Sequence, residues 1–428
     1  LAMIRFSRRR SWADRLPTAF AAFAVALTLT GAPAHAADPI KIGFSVPLTG
    51  ALASGGKVML ITLKMWEEEV NARGGLLGRP IQLVHYDDQS NGSTVPGIYT
   101  KLLDVDKVDL VISSYGTNVI APAMPIVMQR NKTFVSLFAV GLNTEFKYPR
   151  YFSMMPTGPN PKPGYSEGFF RIAMAQNPKP QTIAIVTADG EATRLITDGV
   201  MEHVAKNGLK VVYDRRYPLN TTDFSPVVRA AQATNPDIFF ISSYPLDSVG
   251  ILRSVNEVGF KPKMIGGVLN GLPAPVLKAQ LGPLLNGVIN YEFWVPTAKL
   301  VGPGVMDLIK RYQEKAKIEG GVDPIGIYVP PWAYSVAQVL EQSIVSTNSI
   351  DDAKLADYIS KTTFKTMVGD VKFGSHGEWN KNRMLMVQHH DIKSNDIMQF
   401  KDMSTMTVVD PPEYADGKVI YPYENAKK

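Results

Sequence analysis

Hydrophobic positions recur at two different spacings along the chain, and together they predict short strands separated by longer helices. Residues 81–86 form a short apolar run that is typical of a strand. Before them, Val58, Ile61, Met65 and Val70 recur at the spacing of one helical face. Because strands that alternate with helices favour parallel sheets covered on both faces, the predicted fold class is α/β.

The same pattern extends over most of the chain. The predicted strands cover residues 40–46, 81–86, 110–113, 133–137, 182–186, 211–213, 238–241 and 264–266. The predicted helices cover residues 58–70, 95–103, 121–129, 193–207, 225–234, 247–258 and 303–317. The series occurs twice, before about residue 157 and again from about residue 180, and this duplication predicts two doubly wound lobes.

One segment carries more information than the rest, and it reads NARGGLLGRPIQLVHYDDQS from residue 71 to residue 90. In this segment Gly74 and Gly75 suit the left-handed conformation that ends a helix, and a turn at Gly78 leads into the next strand. Two carboxylates, Asp87 and Asp88, follow that strand. This order of elements, with this sequence, resembles the periplasmic branched-chain amino acid (Leu/Ile/Val) binding protein family of ABC importers, over residues 38–390.

The resemblance implies the type I periplasmic binding protein fold, with two doubly wound (Rossmann-like) lobes joined by three crossing segments. We place these crossings near residues 157, 295 and 367. Lobe 1 would then comprise residues 37–157 and 296–367, and lobe 2 residues 158–295 and 368–428. The resemblance also implies a small-molecule solute held between hinged lobes and passed to ABC permease membrane subunits, and we expect a monomer without a cofactor.

Basic residues are concentrated at the start of the sequence, where they precede an apolar stretch too short to span a bilayer. Five arginines and one aspartate in residues 1–15 contribute +4 to the formal net charge of +6. The rest of the chain therefore carries only +2, a charge that does not indicate a nucleic-acid-binding protein. Residues 19–29 are apolar, and Ala34-His35-Ala36 places small residues around a larger one. We therefore expect a signal peptide, residues 1–36, cleaved before Ala37. The general secretory route is favoured, with the twin-arginine route as the alternative.

The sequence contains no cysteine. This excludes disulfides, thiolate metal sites and thiol nucleophiles, and we also expect no lipid anchor on a cysteine. Because an unanchored binding protein needs an outer membrane to retain it, the expected location is the periplasm of a Gram-negative bacterium. After the signal peptide no uninterrupted apolar run is long enough to predict a membrane helix.

In open parallel sheets, ligands bind beyond the carboxyl ends of the strands, so the loops after the predicted strands are the candidate site. The loop after residues 110–113 begins with Ser114 and Tyr115 and continues to Thr117. Hydroxyls and backbone N–H groups at the start of a helix can bind an anion. The resemblance implies that this loop holds the ligand carboxylate, with Ser114 and Thr117 as contacts and Tyr115 as a wall or donor. Ordinary helix capping is the alternative.

The next loop departs from the family pattern. Residues 138–140 read Phe138-Ala139-Val140, where binders of amino acids usually have Ala-Ala-Thr. We place all three residues in the site, with Val140 at the position of the threonine that helps to fix the α-amino group. Valine makes no side-chain hydrogen bond. A tyrosine is also missing before Gly190, and a large aromatic residue is missing around Gly55.

On the second lobe, the loop after residues 238–241 contains Tyr244 and Asp247. The resemblance implies an acidic residue here that pairs with the ligand ammonium, and Asp247 takes this role in one alignment, whereas Leu246 takes it in another. Asp247 is equally suited to cap a helix. Near the second crossing, Trp294 or Phe293 would form a wall of the pocket. Simple packing in the core is the alternative for both residues.

These departures remove polar groups that hold an ammonium but keep the anion loop. The expected ligand is therefore a small carboxylic acid with an apolar or aromatic body, and a hydrophobic amino acid remains the alternative through Asp247. We find no catalytic motif, and His376, His389 and His390 lack the spacing of metal ligands. The sequence predicts a transport receptor and not an enzyme. The alternative is a periplasmic ligand sensor that docks on a chemoreceptor or a sensor kinase.

Overall fold

The computed structural model describes residues 37–427, so the predicted signal peptide lies outside the described residues. The strands are β1 (Ile40–Val46), β2 (Ile81–Asp87), β3 (Leu110–Ile112), β4 (Phe134–Ser136), β5 (Tyr151–Ser153), β6 (Thr182–Ala188), β7 (Lys210–Tyr217), β8 (Ile238–Ser243), β9 (Met264–Leu269), β10 (Ile289–Glu292), β11 (Thr363–Thr366), β12 (Gly369–Lys372), β13 (Leu385–His389) and β14 (Met406–Asp410). The helices are α1 (Ala53–Ala72), α2 (Val95–Asp104), α3 (Thr117–Ile120), α4 (Met124–Gln129), α5 (Leu142–Phe146), α6 (Pro161–Gly164), α7 (Glu167–Met174), α8 (Glu191–Asn207), α9 (Ser225–Ala233), α10 (Pro245–Glu257), α11 (Pro275–Leu281), α12 (Val305–Glu319), α13 (Val329–Thr347) and α14 (Asp352–Lys361).

The first sheet has five strands in the order β2-β1-β3-β4-β5, and every pairing in it is parallel. β1 lies inside this sheet, and its apolar side chains Ile40, Ile42, Phe44 and Val46 are all buried. A strand covered on both faces needs such a nearly continuous apolar sequence. We call the lobe built on this sheet lobe 1.

The second sheet has seven strands in the order β14-β13-β10-β9-β8-β6-β7. The five strands from β10 to β7 run parallel, whereas β13 and β14 are added antiparallel at one edge. We call the lobe built on this sheet lobe 2. Two helix-covered sheets, one parallel and one mainly parallel, confirm the α/β, two-lobe fold that the sequence predicts. Each predicted strand and helix overlaps an observed one.

The chain passes between the two sheets three times, after β5, after β10 and before β13. The segment after β10 brings α13 against α1 of lobe 1. Residue 367, where we expected the third crossing, lies in the turn of a local hairpin, β11–β12, whose own sheet is separate from the other two. The chain reaches the second sheet only at β13, so this crossing falls within residues 373–384. Met367 and Val368 form the two-residue turn of this hairpin, which lies in the chain before the crossing.

The first and third crossing segments touch each other. Thr157 pairs with Asn382 in an isolated antiparallel bridge, and the Asn382 side chain donates to the Gly164 carbonyl at 2.9 Å. Gly158, at φ 75°, lies so close to Asn382 that a Cβ added to Gly158 would be 2.6 Å from the backbone nitrogen of Asn382. Glycine is therefore required where these segments meet. Between residues 37 and 427, no helix is long and apolar enough to cross a membrane.

Candidate functional site

A cleft lies where loops from the carboxyl ends of both sheets converge, as expected for doubly wound folds. It contains about 520 Å³ not occupied by atoms, part of it open to solvent. Lobe 1 contributes the loops after β3 and β4, and lobe 2 contributes the loops after β6, β8, β9 and β10. The lining residues are Leu52, Tyr115, Gly116, Thr117, Asn118, Phe138, Val140, Met155, Tyr165, Ala192, Tyr244, Pro245, Asn270, Gly271, Tyr291, Phe293 and Tyr328.

The carboxylates at the end of β2, Asp87 and Asp88, hold the lobe 1 loops in place. Asp88 is fully buried and accepts hydrogen bonds from Ser114 Oγ at 2.6 Å and from the Ser90 N–H at 3.0 Å. Burial raises the pKa of Asp88, since the charged form loses its hydration. Asp87 accepts from the N–H of Leu48 at 2.9 Å and so fixes the loop after β1. The hydroxyl of Ser114 is therefore used inside lobe 1, and Ser114 does not line the cleft.

Thr117 and Tyr115 do line the cleft, and each has one polar contact with a neighbouring loop. Thr117 Oγ1 accepts from the N–H of Val140 at 3.1 Å, so its own O–H is available for another acceptor. Tyr115 donates to the hydroxyl of Tyr328, 3.3 Å away. Burial raises the pKa of Tyr115 to about 12, so this hydroxyl keeps its proton at neutral pH. Both residues present hydroxyl groups and no charge.

Phe138 is the centre of an aromatic cluster that forms one wall of the cleft. Its ring stacks on Tyr328 with centroids 5.5 Å apart, and it lies 4.7 Å from Phe293. Trp332 packs behind both phenylalanines at 5.9 and 5.8 Å. Val140 also lines the cleft. The wall after β4 is therefore apolar, apart from the edges of the tyrosine rings.

Two tyrosines fill space beside glycines where the sequence lacks an expected aromatic residue. A Cβ on Gly55 would lie 2.3 Å from the ring of Tyr115, and a Cβ on Gly190 would lie 2.6 Å from the hydroxyl of Tyr244. Each tyrosine comes from a different loop than the glycine it covers. The missing aromatic groups are thus supplied from other positions, and the two glycines make room for them.

Asn270, which follows β9, is a lining residue that the sequence analysis did not find. Its Oδ1 accepts from the hydroxyl of Tyr291 at 3.3 Å and from that of Tyr165 at 3.5 Å. Its Nδ2 is buried and has no hydrogen-bond partner among the described residues. Burial raises the pKa of both tyrosines, so their hydroxyls remain donors. Of the side chains on this loop, Asn270 brings the unpaired polar group to the cleft.

Three other predicted site residues lie outside the lining. Asp247, the third residue of α10, accepts from the hydroxyl of Tyr217 at 3.1 Å, and burial raises its pKa. Trp294 is buried and donates its Nε1–H to the carbonyl of Leu300 at 3.0 Å. Ala139 is fully buried. Of the nine predicted residues, the structure brings together at the cleft Tyr115, Thr117, Phe138, Val140 and Tyr244.

The electrostatic character of the cleft follows from this lining, because none of the 17 residues is charged or a histidine. The polar groups are five tyrosine hydroxyls, one threonine hydroxyl and two asparagine amides. One pair joins the lobes directly, since Tyr244 donates to Asn118 Oδ1 at 2.9 Å. Among residues 37–427, no group of three or more histidine and acidic side chains is placed to hold a metal ion.

A cleft of this kind, between two doubly wound sheets and lined from both, defines a two-lobe solute-binding protein. The chain belongs to the periplasmic binding protein family, whose family model matches residues 39–392. This confirms the family resemblance, and members of this group are periplasmic solute-binding proteins of the branched-chain amino acid type of ABC transport.

Individual relatives agree with this assignment. The chain is 26% identical over 392 residues to Leu/Ile/Val-binding protein homolog 7 of Brucella abortus, and the match covers 87% of this chain and 94% of that protein. Among solved structures it resembles the branched-chain amino acid transporter substrate binding protein of Streptococcus pneumoniae in complex with isoleucine, with TM-score 0.72, 17% identity and coverage of 87% and 100%. It also resembles a solute binding protein of an ABC transporter from Rhodopseudomonas palustris in complex with 3,4-dihydroxybenzoic acid, with TM-score 0.70, 16% identity and coverage of 90% and 99%. At these identities the two structures share the fold with this chain.

Proposed function

We propose that this protein binds a small carboxylate with an aromatic or apolar body between its lobes and delivers it to the permease of an ABC importer. The observation that carries this proposal is the lining of the cleft, which is rich in aromatic rings and hydrogen-bond donors and contains no charged side chain. One structure of the same fold contains isoleucine and another contains an aromatic acid, so the fold alone does not determine the class of ligand. The choice must come from the side chains.

The lining of this cleft offers no carboxylate to pair with an α-ammonium group. Burying an ammonium without an opposite charge costs several kcal/mol, unless acceptors surround it. Asp247, the acid that was the candidate for this role, accepts from Tyr217 and lies outside the lining. The acceptor Asn118 Oδ1 is already used by Tyr244. The structure therefore favours a ligand without an ammonium group.

The lining offers more hydrogen-bond donors for a carboxylate than acceptors for an ammonium. The O–H groups of Thr117 and Tyr328 have no acceptor among the described residues, and hydrogen bonds to an ionised acceptor are about twice as strong as neutral ones. Phe138 and Phe293 then offer an apolar wall for the body of the ligand. We propose as ligand contacts Tyr115, Thr117, Phe138, Val140, Tyr165, Tyr244, Asn270, Tyr291, Phe293 and Tyr328.

Ligand binding would be coupled to closure of the two lobes. The hydrogen bond across the cleft between Tyr244 of lobe 2 and Asn118 of lobe 1 is the kind of contact that a closed form would make. A ligand stabilises that form only if it binds it better than the open form, and contacts from both lobes provide this difference. The permease would then receive the closed, loaded protein. We also propose that residues 1–36 direct export, that the protein is monomeric, and that the bound solute leaves chemically unchanged.

Isothermal titration of the purified protein tests the proposal with three probes of similar size, namely benzoate, L-leucine and benzamide. We expect saturable binding of benzoate and at least tenfold weaker binding of L-leucine. Benzamide, which keeps the ring but not the charge, should bind more weakly than benzoate. Binding of L-leucine alone would show that an ammonium is recognised and would overturn the proposal. Recovery of unaltered benzoate after incubation checks that no reaction takes place.

A further inference from the structure

Asn270 is held by hydrogen bonds at both its backbone and its side chain. Its backbone N–H donates to the carbonyl of Ser243 at 3.2 Å, and its carbonyl accepts from Ser248 Oγ at 3.3 Å. On the side chain, Oδ1 accepts from the hydroxyls of Tyr165 and Tyr291. Both ends of the residue are therefore fixed before any ligand arrives.

In this arrangement Nδ2 is the free end of the amide. Two tyrosine O–H groups donate to Oδ1, so Nδ2 must find an acceptor elsewhere, and none of the described residues supplies one. Buried polar groups in folded proteins are nearly always hydrogen-bonded, and an unpaired donor in a ligand cleft calls for an acceptor on the ligand. The two donors that we assign to the carboxylate, on Thr117 and Tyr328, belong to other elements of the chain.

We propose that Asn270 recognises a second hydrogen-bond acceptor on the solute, distinct from the carboxylate assigned to Thr117 and Tyr328. The solute class is then an aromatic acid that carries a hydroxyl or carbonyl group on the ring. This inference rests on the proposed function, because it takes the carboxylate to lie at the lobe 1 loop after β3. Asn270 acts as a specificity-determining residue, and Tyr165 and Tyr291 act as positioning residues for its amide.

A matched pair of ligands tests the inference in the full-length protein. 4-Hydroxybenzoate and 4-methylbenzoate have the same shape, but only the first has an acceptor on the ring. Isothermal titration should show that 4-hydroxybenzoate binds about tenfold more tightly to the unaltered protein, which is the value of one buried hydrogen bond. In N270L this preference should disappear, and 4-methylbenzoate should bind as well as before or better.

Two further variants separate recognition from folding. N270D keeps the shape and the two tyrosine contacts but removes the donor, so it should lose the preference and bind both acids more weakly. Y291F removes one of the two hydroxyls that orient the amide, and it should reduce the preference without abolishing it. The melting temperature of each variant is measured alongside, so that an unfolded variant is recognised and N270D replaces N270L if necessary.

The outcomes distinguish the two levels of the proposal. If neither benzoate nor either substituted acid binds, the proposed function is wrong. If all three bind but the unaltered protein does not prefer the hydroxyl, the role of Asn270 is wrong and the proposed function stands. A preference that survives in both N270L and N270D likewise overturns the role of Asn270.

Discussion

Tyr244 and Asn118 form a hydrogen bond between the two lobes, with 2.9 Å between the tyrosine hydroxyl and Asn118 Oδ1. Tyr244 stands immediately before α10, and Asn118 lies in α3, so each is placed at the carboxyl end of its own sheet. The two side chains also line the cleft. Under the proposed function, this contact between two lining residues would couple closure of the cleft to ligand binding.

Replacing Tyr244 by phenylalanine should weaken ligand binding by up to about tenfold. The variant keeps the ring but loses one hydrogen bond, worth about 0.5–1.5 kcal/mol, that is made only in the closed form. Isothermal titration with benzoate measures the effect. Y213F is the matched control, because Tyr213 lies on β7 away from the cleft lining. Equal affinities in Y244F and the unaltered protein would show that this bond does not stabilise the closed form.

Replacing Gly55 by alanine should impair binding through Tyr115. The added Cβ would lie 2.3 Å from the tyrosine ring, so the ring must move, and overpacking of this kind costs about 1–3 kcal/mol. We expect a lower melting temperature and weaker benzoate binding than in the unaltered protein.

The control for this change is G97A. Gly97 lies inside α2, and an added Cβ would meet nothing within 4 Å. Alanine is favoured over glycine in a helix by about 0.5–1 kcal/mol, so G97A should raise the melting temperature slightly and leave binding unchanged. If G55A behaves like G97A, then Tyr115 has room to move and its position is not critical.

The general position of the site could be predicted from the sequence because it depends on periodicity. Apolar runs located the strands, and ligands in doubly wound folds bind beyond strand ends. This brought Tyr115, Phe138 and Tyr244 to one cleft although they are far apart in the chain. The wall of aromatic rings, by contrast, depends on Tyr328, immediately before α13, which the sequence pattern did not place in the site.

The detailed chemistry could not be predicted, and each error has a physical reason. Asn270 was missed because Gly266 and Gly267 ended the predicted strand early, whereas β9 continues to Leu269. These glycines adopt positive φ, and a Cβ on Gly266 would lie 1.8 Å from the carbonyl of Ile289, so they serve a close approach of strands. The roles of Ser114 and Asp247 depend on tertiary hydrogen-bond partners that a sequence pattern does not reveal.

The buried ion pair between Lys278 and Glu292 should make lobe 2 sensitive to single substitutions. Lys278 Nζ lies 2.6 Å from Glu292 Oε1, and their side chains are 0% and 4% exposed. Removing one partner leaves a buried charge unpaired, which costs about 3–5 kcal/mol. K278M and E292Q should each lower the free energy of unfolding by an amount of this order, measured by urea denaturation.

The double variant K278M/E292Q should be more stable than the sum of the two single effects predicts, because it leaves no unpaired charge. Glu292 directly precedes Phe293 of the cleft wall, so benzoate affinity should fall together with stability in the single variants. Strictly additive losses in the double variant would contradict a direct interaction between the two side chains.

Glu378 should give the protein a pH-dependent stability with a defined sign. It lies buried in the third crossing segment, where the nearby donors Ser153 and the Asn143 N–H lower its pKa less than burial raises it. Burial raises its pKa from 4.5 to about 8. Between these two pH values the unfolded chain has lost the proton and the folded chain keeps it. The unfolded state then binds fewer protons, so the free energy of unfolding should fall as the pH rises from about 4.5 to about 8.

E378Q removes the titrating group while keeping a neutral side chain of the same size. Its free energy of unfolding should match that of the unaltered protein near pH 4.5 and exceed it near pH 8, by an amount on the order of a few kcal/mol. Urea denaturation at several pH values measures both curves. E319Q, which changes an exposed glutamate of α12, should retain the full pH dependence of the unaltered protein. Parallel curves for E378Q and the unaltered protein would mean that Glu378 is ionised in the folded state and that the crossing segment supplies it with a partner.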